Sequence, residues 1–240
     1  MRRADKYKEL FNQKFLMGPN SVRLLDEMLE KYPISEENLK VLDLGCGKGL
    51  TSLFLAKEFN ANVVATDLWC GATENYNQFK EWGIDDVVMP IHADANDLPF
   101  ANEYFDIVVS IDSFHYFAKQ PHFFYEKILP LMKPNGVAIM AMPGLKKEIH
   151  GREPQLILNW INGEESEYEL FHCLNWWKEY FGESKAFNIL QAFELDNFSE
   201  AWKDWFLSNH SLAVRDSEYF KLGVDKYLAT VGFVIQKVYN

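Results

Sequence analysis

The sequence predicts an α/β protein built on a doubly wound, mostly parallel sheet, and three observations predict it. Val41-Leu42-Asp43-Leu44 is a short apolar run that reads as a buried strand. It passes into Gly45-Cys46-Gly47-Lys48-Gly49, and Leu50, Leu53, Phe54 and Ala56 then recur at helical spacing towards Phe59. From there to about residue 143, apolar runs alternate with helical patterns, which implies parallel strands joined by crossover helices. Acidic residues close several of the runs, at Asp67, Asp94 and Asp112. That edge, at the carboxyl ends of the strands, is where open α/β sheets bind ligands.

The glycine turn narrows the ligand. Gly45, Gly47 and Gly49 give GxGxG, but a dinucleotide fingerprint needs a small residue where Leu50 stands. A phosphate loop needs Ser or Thr after the lysine, and Lys48 is followed by Gly49. What remains is a turn whose missing side chains let a ligand lie against the backbone. Asp43 adds an acceptor at the strand end. Asn62-Val63-Val64-Ala65-Thr66-Asp67 is a second strand ending in an acid, close to the roughly 20-residue offset of a ribose-gripping carboxylate.

Hydrophobic residues make up 48% of the 240-residue chain, which is ample for a core, and one domain is expected over 1–240. It divides into an N-terminal helical cap (1–37), a ligand-binding core (38–143) and a C-terminal half with helical insertions (144–240). The net charge of −11 works against a phosphate-backbone partner, so nucleic acid is not favoured. No run of about 18 apolar residues predicts a membrane span. The charged start, Met1-Arg2-Arg3-Ala4-Asp5-Lys6, does not read as a signal peptide, so a cytoplasmic protein is expected. Cys46, Cys70 and Cys173 are widely spaced and expected to be reduced. The histidines show no ligand spacing, and His172-Cys173 is a poor metal signature, so no metal is expected. Oligomeric state is not legible.

The hydrophobic strand, Asp43, GxGxG and Asp67 together resemble motif I and the following strand of the class I S-adenosylmethionine-dependent methyltransferases. Later features agree: Leu98-Pro99-Phe100 before Phe105-Asp106-Ile107-Val108, and Leu131-Met132-Lys133-Pro134-Asn135-Gly136 leading into a strand. The likeness covers about residues 38–143. It implies a Rossmann-like sheet of about seven strands, helices on both faces, and an antiparallel hairpin at the C-terminal edge. It also implies S-adenosyl-L-methionine as cofactor and S-adenosyl-L-homocysteine as product. Carried onto this chain, the glycine loop (Gly45, Cys46, Gly47, Gly49) holds the methionine part and Asp67 the ribose. Leu68-Trp69-Cys70 borders the adenosine, Asp94 and Ala95 meet the adenine, and Ile111-Asp112-Ser113 faces cofactor and acceptor. Asp94 also reads as a turn or cap residue, since Ala95-Asn96-Asp97 is turn-like.

In chain order, residues 1–40 read as mainly helical, with Phe15 to Asn20 either folding over the cofactor or serving a helix that caps the sheet. Strands are expected at about 40–44, 62–66, 87–93, 105–112, 137–142, 187–195 and 230–238. Helices are expected near 72–81, from Pro121 to Leu131, around 154–161, at 170–181 and at 198–209. Trp176, Trp177, Trp202 and Trp205 on these late helices are either core or the roof of an acceptor pocket.

Nucleic-acid amino-methyltransferases of the family carry an Asp/Asn-Pro-Pro-aromatic motif where this chain has Ser110-Ile111-Asp112-Ser113. A small-molecule acceptor is therefore expected, with its atom unidentified. A cyclopropane-forming lipid enzyme and a non-catalytic cofactor-binding protein are the alternatives. His115 is the candidate general base, since its ordinary pKa of about 6.5 suits proton removal near neutrality. A packing role for it stands beside that reading.

Overall fold

The computed structural model describes residues 2–35, 38–120, 122–162 and 168–238. The strands are β1 Lys40–Leu44, β2 Asn62–Asp67, β3 Val88–His92, β4 Phe105–Ile111, β5 Met132–Leu145, β6 His172–Cys173, β7 Phe187–Glu194 and β8 Leu228–Lys237. They form one sheet in the order β3-β2-β1-β4-β5-β8-β7, with β6 paired to the end of β5. Neighbours from β3 to β5 are parallel. β8 runs antiparallel between β5 and β7. The chain thus winds outward in both directions from the β1–β4 junction, and that reversal opens a crevice at the carboxyl edge.

Strand alternation builds two cores. Val41, Ile107, Val109, Ile139 and Ala141 face one side, with helices α1 (Ser21–Lys31) and α2 (Leu50–Phe59). Leu42, Leu44, Val108, Ala138 and Met140 face the other, with Phe114, Phe123, Phe124, Ile128, Trp177 and Phe181. This period of two explains why near-continuous apolar runs read as central parallel strands. α2 is buried at every position from Leu50 to Ala56, because it is sandwiched between the sheet and the N-terminal segment.

The helix α3 (Ala72–Glu81) has the expected bounds. Other elements differ from expectation for local reasons. The helix expected from Pro121 to Leu131 is a π-helical turn at Phe124–Ile128 followed by a 3-10 turn at Leu129–Leu131; Pro130, which lacks an N–H, interrupts any α-helical continuation. Pro121 itself and Gly163 lie outside the described residues. β5 begins earlier than expected: Met132 already pairs with Phe105, and Lys133–Gly136 form a bulge with Asn135 at φ +62°. A helix at Ser211–Lys221 was not foreseen. It and helix Phe198–Leu207 intervene between β7 and β8, so the antiparallel edge is not a tight hairpin.

The N-terminal segment is tied to the C-terminal half through buried polar groups. Asn20 caps α1 by accepting from Val22 N at 3.0 Å, and its amide donates to Asp204 at 2.7 Å. Arg23 bridges Asp204 and Asp5. Glu27 accepts from the backbone amides of Asp196 (2.8 Å) and Asn197 (2.7 Å). Among the described residues, no helix is long and apolar enough to cross a membrane.

Glu27→Ala would leave two donors without their acceptor, one of them buried. Urea unfolding is expected to show a loss of roughly 2–4 kcal/mol, with Glu27→Gln, which keeps one acceptor, losing less. Wild-type stability in the alanine variant would contradict this role.

Candidate active site

The crevice at the carboxyl edge holds a cavity of about 340 Å³. Four strand ends contribute: Gly45–Lys48 after β1, Asp67–Trp69 after β2, Ala93–Asn96 after β3, and Asp112–Ser113 after β4. Phe15 to Pro19 close it from the N-terminal side. That segment therefore covers the cavity rather than only capping the sheet. α4 (Phe114–Phe117) adds Tyr116 and Phe117. Trp69, 66% exposed, stands at the mouth with its ring edge-on to Tyr116, 5.1 Å between centroids.

The loop is held by hydrogen bonds within the protein. Gly45 N and Cys46 N both donate to Thr66 O, at 2.9 and 3.0 Å. Ser110 and Ser113 donate to Leu44 O at 3.0 and 2.7 Å, clasping the ends of β1 and β4. Asp67 accepts from Gly47 N (2.8 Å) through one oxygen, and from Trp69 N (2.7 Å) and Cys70 N (2.8 Å) through the other. Gly47, at φ +54°, lines the cavity, where a side chain would meet the Met17 sulfur at 3.2 Å. Asp94 accepts from Asn96 N at 2.8 Å, which makes it a turn-former at the cavity wall as well. Asp112 sits at φ +57°, with its carboxylate against the backbone of Gly18.

Of the residues singled out from sequence, Gly45, Cys46, Gly47, Asp67, Leu68, Asp94, Ala95 and Asp112 line this one cavity. Asp43, Gly49 and His115 do not. Asp43 is buried behind the loop and accepts from Thr51 Oγ1 (2.7 Å) and Ser52 Oγ (2.6 Å), tying β1 to the first turn of α2. Gly49 starts α2 at φ +81°, and any Cβ there would lie 2.3 Å from the Phe79 ring; it serves packing. His115 is 2% exposed, and burial lowers its pKa to about 3. It lines a second cavity of about 380 Å³ with Ala118, Glu169, His172, Trp176 and Trp177. α4 separates the two spaces, Tyr116 and Phe117 on one side and His115 and Ala118 on the other. The imidazole is buried, is held neutral by that burial, and lines the second cavity rather than the first.

Thr66, Lys48 and Phe117, which also line the cavity, were not singled out. Their only signal is adjacency to a strand end that carries a named residue. Burial pushes the Cys46 thiol well above its ordinary value and Cys70 up to about 11, so neither thiol is a ready nucleophile.

A family model described as a methyltransferase domain matches residues 42–140, the stretch that contains the loop and all four strand ends. Over that stretch the chain is similar to the class I S-adenosylmethionine-dependent methyltransferases. Its curated relatives include the mitochondrial arginine-hydroxylase of Mus musculus, 34% identical over 113 residues, 47% of this chain and 31% of that one. Another is the glycine/sarcosine/dimethylglycine N-methyltransferase of Actinopolyspora halophila, 28% identical over 126 residues, 51% of this chain and 22% of that one. The matched stretch therefore spans a third or less of those two relatives. Among solved structures, a Haemonchus contortus phosphoethanolamine N-methyltransferase in complex with S-adenosyl-L-methionine shares the fold. It has a TM-score of 0.74 at 20% identity, covering 98% of this chain and 57% of that one. The cofactor of this methyltransferase family is S-adenosylmethionine, and the cavity's acids and glycine loop suit it.

Burial raises the Asp43 carboxyl to about 6, with the nearby charge of Asp67 adding to the shift. A carboxyl raised in the folded state keeps its proton longer than in the unfolded chain. Its contribution therefore favours folding at acid pH and is lost as the pH rises from about 4 through about 6. Asp43→Asn should gain stability relative to wild type across that window, on the order of 3 kcal/mol by pH 7. Denaturant midpoints from pH 4 to 7 check it; parallel curves for the two proteins would contradict it.

Proposed function

We propose that this chain transfers the methyl group of S-adenosylmethionine to a small-molecule acceptor. The observation that carries the reading is the convergence of the glycine loop, Asp67, Asp94–Ala95 and Asp112 on one cavity at the switch point of the sheet. In this reading, Gly45–Gly47 bind the methionine portion, Asp67 accepts from the ribose hydroxyls, and Asp94 with Ala95 borders the adenine. The acceptor's lone pair attacks the methyl carbon, the carbon–sulfur bond breaks, and its electron pair stays on sulfur. A nitrogen or oxygen acceptor also sheds a proton. Alignment of nucleophile, methyl and sulfur can supply up to roughly 7–11 kcal/mol of the barrier, so a dedicated base is not required of every acceptor. Tyr116, on the cavity face of α4, and Asp112, after β4, are polar groups that line the cavity there.

The net charge of −11 and the amino-acid-derived acceptors named for the Actinopolyspora relative support a small molecule. A second reading rests on the arginine-hydroxylase relative: the matched domain can serve a protein side chain and a different reaction. The unpaired cysteines suit a reducing compartment, and we place the chain in the cytoplasm.

Incubating the protein with methyl-labelled S-adenosylmethionine and a metabolite extract should transfer label to a small molecule. Label only in protein, or none in any fraction, would contradict the reading. Asp67→Ala should weaken cofactor binding by about tenfold or more, because the carboxylate both meets the ribose and holds three loop amides. Titration calorimetry showing unchanged affinity in a folded variant would remove Asp67 from the cofactor site.

A further inference from the structure

Beyond the cofactor cavity, the end of β5 and the short strand β6 bring Glu148, His150 and His172 together. One ligand atom from each lies within 4.8 Å of the other two. We propose that these three side chains bind a first-row divalent transition-metal ion of the zinc class.

The geometry is close to what such an ion needs. Bonds of about 2.0–2.1 Å in a tetrahedron place ligand atoms about 3.3 Å apart. Glu148 Oε1 is already 3.2 Å from His172 Nδ1 and 3.3 Å from His150 Nε2. The His150–His172 edge is no longer than 4.8 Å. Two imidazoles and one carboxylate suit a borderline cation and discriminate against magnesium, which prefers oxygen.

The surroundings hold the ligands as an outer shell would. The second Glu148 oxygen accepts from Cys173 N at 3.3 Å, turning Oε1 to the imidazoles. His172 is stacked on Trp176, 3.5 Å between centroids and 7° between planes. His150 Nε2, the nitrogen that faces Glu148, also lies 2.9 Å from Phe171 O, so ligation through it replaces that bond. The Tyr168 ring lies 4.8 Å from that of His150, and its hydroxyl is buried without a partner. It is a polar group beside the cluster that the protein alone leaves unsatisfied.

The ion would join β5 to β6, whose pairing consists of Gly144 with His172 and Leu145 with Cys173. Three protein ligands leave a fourth position for water or a ligand. His172 also lines the second cavity, so the ion would stand at its wall. No sequence spacing signals the site, because Glu148 and His172 are 24 residues apart.

Zinc should bind the untagged full-length chain at one equivalent, with magnesium failing to compete, by calorimetry with a chelator as competitor. His150→Ala and His172→Ala should each weaken zinc by at least tenfold while S-adenosylhomocysteine binding is unchanged. Failure of wild type to bind zinc while it still binds S-adenosylhomocysteine would overturn the metal site and leave the methyltransferase reading standing. Undiminished zinc binding in both variants would assign the ion elsewhere and overturn it too. Should either variant misfold, X-ray absorption of the zinc-loaded wild type decides: two imidazoles in a nitrogen/oxygen shell support the site, and a sulfur ligand overturns it.

Discussion

The carboxylate of Asp67 holds the site together. It bonds the glycine loop after β1 through Gly47 N and the turn after β2 through Trp69 N and Cys70 N. Thr66 O, one residue earlier, accepts from Gly45 N and Cys46 N. Two loops from adjacent parallel strands are thus locked by five short bonds from one strand end. Charge-assisted bonds to backbone amides are among the stronger ones available. Here they fix the conformation of the glycine loop.

The rest of the fold makes that strand end possible. β1, β2 and β4 are central, with apolar side chains on both faces, and their carboxyl ends emerge at a common edge. Asp43 ties the base of the loop to α2, and the Ser110–Ser113 pair ties Leu44 O to β4. The N-terminal cover is held from the far side of the molecule by Asn20, Arg23 and Asp204. The segment over the cavity is therefore coupled to the C-terminal helices by polar bonds.

The cofactor loop was legible because its signals are local. A glycine spacing, an acid at a strand end and period-two apolar runs depend on a few neighbouring residues. Asp43 and Gly49 lie off the cavity lining because alternation decides which face a strand-end residue takes, and because Gly49 packs on Phe79 from another helix. The rotation of a four-residue helix puts Tyr116 on the first cavity and His115 on the second. Pro130 reshaped a helix whose apolar pattern looked regular. The Glu148–His150–His172 group was invisible because β6 exists only through its pairing with β5. Such juxtapositions are tertiary, and no window of sequence contains them.

The most direct test is a crystal structure of the chain with S-adenosylhomocysteine. The account predicts density across Gly45–Gly47, with the ribose on Asp67, the adenine beside Ala95 and the sulfur directed towards Asp112 and Tyr116. Density in any other cavity, or a ligand in this one whose ribose lies away from Asp67, would contradict it.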